Sequence, residues 1–421
     1  MTRGLSWVQV QRWKLGRSTG FFLSPSRASP ARFLPRRVLE ARGKRAAART
    51  GWTLPSTTYD LVAVAPFAAF GGAEQMLVLQ LEALRARGAH VAILLTREVG
   101  PDTDRVWRDR FEAVADVIEL PADVGNLDRG GLIVHAITEL RPRTVLLHNS
   151  SLGWHVGPAL RRAPHTPRVV DVHHGLIALA NELNAPLCRS VRRRVDEHIC
   201  VSDETRSWIV DDYHLPGADV ITIENRVPLP EAAVRDRSAG TSPLVVGYIA
   251  RVDPVKRPDV FVDIAEACHA LRLAVRFDLY GSGTMDDEIR ERVAALPEGL
   301  MTFHGKGDDR DAMFGPLDVM VLPSTAEGLP LTVLESFGYG VVPMATVVGA
   351  VGTTITDGVD GFHLPVEPAS ACRDVAVAAI KRLVEEPGLL GRMSAAARCS
   401  AETTFAVAPM QERYSEVLLP R

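Results

Sequence analysis

Long hydrophobic runs are missing from this chain of 421 residues. A membrane-spanning helix needs about 20 largely uninterrupted apolar residues. The longest candidate here, residues 61–73, is shorter and carries Pro66, which implies a core that stays outside the bilayer. Cysteine is scarce too. Cys188, Cys200, Cys268, Cys372 and Cys399 are odd in number, scattered and without paired metal-ligand spacing. That excludes a disulfide framework and a cysteine-based zinc site, and makes a reducing cytoplasm the expected compartment. Acids are nearly absent from residues 1–50, which hold twelve Lys or Arg against Glu40 alone, so a net charge of −3 divides into +11 there and −14 elsewhere. An Arg-, Ser- and Pro-rich segment of this kind has the composition of a transit peptide or an unfolded arm. Residues 1–57 are expected to be a disordered basic extension without catalytic role, with contact to nucleic acid or anionic lipid as the sharper alternative.

What is present is length and a pattern. A chain this long exceeds one ordinary hydrophobic core, so two domains are expected. From Tyr59 onward short apolar runs alternate with longer amphipathic stretches, the pattern of βα units in a mostly parallel sheet. YDLVAVAP, HVAILLT, RTVLLH (143–148), RVVDVH (168–173) and EHICVS (197–202) read as strands, with a helix over residues 71–88. After DVITIENRVPLP (219–230) a Pro-, Arg-, Ser- and Gly-containing stretch, 231–243, reads as a linker. The scheme then repeats: LVVGYIA, VRFDLYG, MTFHG, LDVMVLP and VVPMAT as strands, with helices near 259–271, 286–295 and from 331. The expected architecture is α/β with two Rossmann-like domains, 58–230 and 244–404, facing across a cleft. Residues 405–421 form a terminal helix that packs back on the N-terminal domain.

The densest chemistry lies in PSTAEGLPLTVLESFGYGVVP (323–343), where Glu327 and Glu335 flank a Gly-Leu-Pro turn that opens a helix. Pro330 suits a first helical turn, where its missing N–H is no loss. The backbone N–H groups of Leu331 and Thr332 then face outward from the helix N-terminus and, with the helix dipole, favour an anion such as diphosphate. A cation for that anion is at hand in GYIARVDPVKRPD (247–259), where Arg251 and Lys256 follow a strand, at the end where open α/β sheets place ligands. Arg can grip a phosphate through two N–H bonds and Lys supplies a mobile point charge, so the pair could neutralise a departing nucleoside diphosphate.

These two stretches, with YGSG (280–283) and DGVDGFHL (357–364) in the same order, resemble the retaining glycosyltransferases of family four, which have the GT-B fold. The resemblance runs from about Tyr59 to the C-terminus and implies a metal-independent transfer of a hexose-type sugar from a nucleoside diphosphate sugar, a substrate rather than a cofactor, to a hydroxyl acceptor. It implies that Arg251 and Lys256 bind the donor diphosphate, that Glu335 meets the ribose and that Glu327 meets the donor sugar. Ser324 and Gly328 flank Glu327 and are counted with the donor-binding residues. Gly71 and Gly72 (in PFAAFGGAEQM) stand where the family has a glycine loop near the donor phosphate, and Glu74 reads as a first-turn helix acid. His173 and His174 end a strand where the family commonly has a histidine close to the transferred sugar; which of the two corresponds is open.

VVGAVGTTITDG (347–358) departs from the family, with Thr353 near the position where many relatives have a glutamate. Asp102 and Asp104 form an acid-x-acid pair without supporting context, so they read as a surface turn and no catalytic metal is expected. Arg161, Arg162, Arg189 and Arg192 to Arg194 read first as solvated faces; the sharper reading is attraction of a glycan or lipid-linked acceptor, with peripheral contact at the anionic inner face of the membrane. Nucleic acid is not expected as a partner of the enzyme. The rival readings are a GT-B epimerase or phosphorylase, and a noncatalytic nucleotide-sugar-binding protein.

Overall fold

The computed structural model describes residues 34–68, 71–97, 105–174, 195–213, 216–231, 235–237 and 242–419. The chain divides into two compact units, residues 1–224 with 409–421, and residues 225–408.

The first unit runs α1 (Arg36–Thr50), β1 (Leu61–Ala65), α2 (Gly72–Ala86), β2 (Val91–Leu95), α3 (Arg105–Val114), β3 (Asp116–Glu119), α4 (Asn126–Leu140), β4 (Thr144–His148), α5 (Ser151–Leu160), β5 (Arg168–His173), β6 (Glu197–Cys200), α6 (Asp203–Tyr213) and β7 (Val220–Thr222). Its seven strands form one parallel sheet in the order β3-β2-β1-β4-β5-β6-β7. Helices cover both faces of such a sheet, so a central strand is apolar throughout rather than alternating. LVAVA of β1 and VAILL of β2 are buried at every position.

The second unit comprises β8 (Leu244–Ile249), α7 (Pro258–Ala270), β9 (Val275–Tyr280), α8 (Asp286–Ala294), β10 (Met301–Gly305), α9 (Arg310–Phe314), β11 (Val319–Leu322), α10 (Leu331–Gly338), β12 (Val342–Thr346), α11 (Val351–Thr354), β13 (Phe362–Leu364), α12 (Ala369–Glu385) and α13 (Leu389–Thr403). Its sheet is also parallel, ordered β10-β9-β8-β11-β12-β13. The last helix, α14 (Val407–Leu418), joins the first unit from Pro409 onward. There Leu418 O accepts from Thr144 Oγ1 at 2.9 Å, Ser415 Oγ accepts from Arg87 at 2.7 Å, and Gln411 donates to Leu79 O at 3.2 Å.

Two expectations need correction. Residues 36–50, placed within a disordered extension, form α1, which ends at Gly51 in the left-handed conformation (φ 68°) that glycine adopts without steric penalty. Its inner face, Leu39, Gly43, Ala46 and Ala47, is small and buried against α4. A Cβ on Gly43 would lie 2.1 Å from Gly131 O and one on Gly131 would lie 2.7 Å from Leu39 O, so the two backbones touch. The basic residues find acids: Arg42 and Arg49 donate to Asp128 at 2.6 and 2.9 Å, and Lys44 lies 3.2 Å from Glu40. The Arg49 bond is the main influence holding the Asp128 carboxyl below its usual range, opposed by burial and aided by Arg42. Residues 1–33 lie outside the described residues, as do Cys188, Arg189, Arg192 to Arg194, Asp102 and Asp104. The second correction concerns the expected linker, where Arg237 is buried and donates to Leu317 O and, at 3.0 Å, to Tyr339 O, with Arg235 bound to Asp318. The chain at Arg235 and Arg237 is thus part of the second unit rather than a loose tether.

Replacing Gly43 by Val forces α1 off α4, and overpacking of this kind costs about 1–3 kcal/mol. Calorimetry on the variant is expected to show a lower melting midpoint for the first unit; an unchanged midpoint would mean that α1 is not docked.

Candidate functional site

Strand order in the second sheet reverses between β8 and β11, and loops leaving the carboxyl ends of two such strands form the crevice where open α/β sheets hold ligands. The loop after β8 carries Arg251, Asp253 and Lys256, and the loop after β11 carries Ser324, Glu327 and Gly328. Backbone joins them: Thr325 N donates to Val255 O at 2.8 Å. Side chains join them as well, for Lys256 Nζ donates to both carboxylate oxygens of Glu327, at 2.6 and 2.7 Å. Both partners are largely buried, with 18% and 8% of their side chains exposed. The Arg251 guanidinium, more open at 44%, is bonded to Asp253.

Asp253 was not singled out by the sequence reading. Its Oδ1 accepts from Thr284 N at 3.0 Å and Thr284 Oγ1 at 3.1 Å, so it links the loop after β8 to the residue that follows YGSG. Glycine is required there by close approach: a Cβ on Gly283 would lie 2.6 Å from Asp253 Oδ1, and one on Gly281 would lie 1.9 Å from Ala250 O.

Helix α10 starts at Leu331, with Pro330 in an extended conformation (φ −70°, ψ 120°) immediately before it rather than inside the first turn. The N–H groups of Leu331 and Thr332 belong to that first turn, which has no intrahelical acceptors to offer them. Glu335 is 6% exposed, and Arg310, on the short α9, donates to its Oε1 at 2.8 Å. Arg310 also escaped the sequence reading, since nothing in the local pattern marks a residue 25 positions upstream. Three cations of the second unit, Arg251, Lys256 and Arg310, therefore each face a carboxylate: Asp253, Glu327 and, within α10, Glu335.

Ser324 and Gly328 lie at the same loop but are buried, the serine completely. Ser324 O accepts from Thr346 Oγ1 at 2.5 Å, and its own Oγ has no hydrogen-bond partner among the described residues. Gly328 O accepts from Ala350 N at 2.8 Å. Gly349, with φ 57°, lets the two loops meet: a Cβ there would lie 2.2 Å from Gly328 O and 2.4 Å from Glu327 O. The departing segment around Thr353 forms α11, where Thr353 Oγ1 donates to Ala350 O at 3.0 Å.

The remaining expected residues belong to the first unit. Gly71 is extended (φ −172°) and precedes α2, which starts at Gly72. A Cβ on Gly71 would lie 2.2 Å from Glu74 Oε2, so the close approach at this glycine is made by the chain's own carboxylate. Strand pleating sends adjacent side chains to opposite faces, and it separates the two histidines. His173 is 4% exposed; its Nε2 is 3.0 Å from His198 Nδ1 and 3.1 Å from Asp171 Oδ2. His174 is half-buried, and its Nε2 is 2.8 Å from His148 Nε2, so one ring donates and the other accepts. Burial holds all three rings of His148, His173 and His174 neutral near pH 7, pushing His173 down to about 4 and His174 to about 3. Arg161 is bonded to Asp196 at 2.5 Å and Arg162 is exposed. No helix among the described residues is long and apolar enough to cross a membrane.

Residues 70–229 match the profile of glycosyltransferase family 4, and residues 243–386 that of glycosyl transferases group 1. D-inositol 3-phosphate glycosyltransferase of Mycobacterium ulcerans is 25% identical over 279 residues, 60% of this chain and 58% of that one. The Mycobacterium leprae protein of the same name is 25% identical over 316 residues, 66% of this chain and 72% of its own. The chain thus spans under two thirds of the length of the first of these relatives. Among solved structures, Anabaena HepE in complex with UDP-glucose superposes with a TM-score of 0.69 at 18% identity, covering 85% of this chain and 98% of HepE. TarM does so with a TM-score of 0.68 at 12% identity, covering 87% and 100%. Both profiles fall on the two parallel-sheet units in turn, and the chain accordingly belongs to glycosyltransferase family 4 and has the GT-B fold, built from two Rossmann-like domains.

Proposed function

We propose that the protein transfers a hexose-type sugar from a nucleoside diphosphate sugar to a hydroxyl acceptor with retention at the anomeric carbon. The observation that carries this reading is the Lys256 ammonium held by Glu327 at the switch point of the second sheet, with Arg251 on the same loop as Lys256 and α10 opening four residues after Glu327. The donor diphosphate sits against Arg251, Lys256 and the N–H groups of Leu331 and Thr332. Glu335, oriented by Arg310, accepts from the ribose hydroxyls, and Glu327 accepts from hydroxyls of the donor sugar.

Lys256 is shared. A diphosphate competes with Glu327 for its three N–H groups, which leaves a carboxylate oxygen ready for a sugar hydroxyl. In the reaction the bond from the anomeric carbon to the phosphate oxygen breaks as the acceptor oxygen bonds to the same face. The acceptor proton passes to the departing phosphate, whose charge is stabilised by Arg251, Lys256 and the helix amides. The reading invokes no metal at the diphosphate and no cofactor. His174, less buried than His173, is assigned to the acceptor or transferred sugar, where a neutral imidazole can donate or accept. Gly71 and Gly72 are assigned to donor binding, a role that asks the Glu74 carboxylate beside Gly71 to shift.

The acceptor class is a glycan, glycolipid or polysaccharide precursor, met in the cytoplasm or at the inner face of the membrane. HepE was solved with UDP-glucose and with UDP and glucose, which makes UDP-glucose the first donor to assay.

Three outcomes are expected. With an α-linked donor, proton NMR of the product shows an α linkage, and a β linkage would refute retention. Lys256→Ala lowers kcat by about 100-fold or more, the scale of losing one transition-state donor. It also destabilises the second unit by roughly 1–3 kcal/mol because Glu327 stays buried without its ammonium; kcat unchanged at saturating donor would remove Lys256 from the mechanism. Glu335→Gln weakens nucleoside diphosphate binding roughly 10- to 100-fold, as expected for bonds to a charged group. The UDP-induced rise in melting temperature shrinks accordingly, and a rise equal to the wild type's would free Glu335 of the ribose role.

A further inference from the structure

Asp171 and His173 alternate along β5 and therefore share one face of the first sheet. His198 on β6 pairs in register with Asp171, which brings a third side chain to that face. The three are 1%, 4% and 1% exposed. Their facing atoms form a small triangle: His173 Nε2 to His198 Nδ1 is 3.0 Å, His173 Nε2 to Asp171 Oδ2 is 3.1 Å, and His198 Nδ1 to Asp171 Oδ2 is 3.7 Å. A point equidistant from all three lies about 1.9 Å from each, against roughly 2.0–2.1 Å for zinc–nitrogen and zinc–oxygen bonds.

One hydrogen bond, between His173 Nε2 and His198 Nδ1, accounts for only part of this convergence. His173 Nε2 carries at most one proton yet faces two partners, and Asp171 Oδ2 accepts no hydrogen bond among the described residues although its side chain is buried. A buried carboxylate oxygen in that state is costly unless a cation meets it.

We propose that Asp171, His173 and His198 bind one divalent transition-metal ion of the zinc class. Two imidazole nitrogens and one carboxylate oxygen suit such an ion, whereas magnesium and calcium call for six or more oxygens. Three protein ligands leave a fourth position. Cys200 is the next side chain on the same face of β6 and pairs in register with His173, and the indole of Trp154 walls the cluster at 5.5 Å from His173 and 6.2 Å from His198 between ring centroids. The ion ties β5 to β6 directly beneath His174. Its role is to fix the strand end, separate from the donor diphosphate. Cysteine spacing could not reveal such a site, because its donors are an Asp-x-His pair and a histidine 25 residues further along.

The test uses the full-length protein with any affinity tag removed, stripped with a chelator and titrated with Co2+ or Zn2+. Elemental analysis is expected to give one equivalent bound, with the visible absorption of low-coordinate Co2+ and a raised melting temperature. Asp171→Asn, nearly isosteric, is expected to weaken binding at least about tenfold while melting cooperatively. His198→Ala does the same, and His148→Ala, on the other face, keeps wild-type binding. Binding by the wild type well below one equivalent, or an Asp171→Asn variant that binds as tightly as the wild type, overturns the proposal.

Discussion

A single ammonium group holds the candidate site together. Lys256 Nζ reaches both oxygens of Glu327, and through them the loop after β8 and the loop after β11 behave as one surface. Around that bond the backbone leaves little slack: Gly281, Gly283 and Gly349 each allow a carbonyl or carboxylate to approach where a Cβ would collide. Arg310 adds a third cation and fixes Glu335, so each acid that would meet donor hydroxyls is oriented by a base on a different element. The charges are paired as they stand, so the proposed diphosphate and ribose would have to exchange partners with groups already held in place.

Most of the fold was legible in the sequence for one reason. Strands buried on both faces read as unbroken apolar runs, and LVAVA, VAILL and VVGYI cannot be mistaken for amphipathic helix. The short edge strands β3 and β7, DVIE and VIT, carry too little pattern and were not foreseen. Helix α1 was misjudged because composition weighs its many arginines and not the Gly43–Gly131 approach that docks it, nor the single acid, Asp128, that receives two of them.

The site shows the same division. Arg251, Lys256, Glu327 and Glu335 lie on the two loops and the helix start where ligand chemistry was expected, because strand ends and a Pro-led helix are visible as local signals. Asp253 and Arg310 were missed because their significance is a contact made across the chain. Ser324 was read as a ligand group from its place beside Glu327, yet it is fully buried, which a linear motif does not disclose. The histidine pair could not be resolved from sequence either; pleating gives each ring its own face and its own partner, His198 for one and His148 for the other.

The final helix carries a consequence for how the chain is made. Residues 409–418 complete the first unit through Thr144, Arg87 and Leu79, and in sequence the whole second unit comes between them and residue 224. Topologically the second unit is an insert. During synthesis on the ribosome it can finish folding as soon as its residues emerge, while the unit begun first must wait for α14, made after it, to be complete.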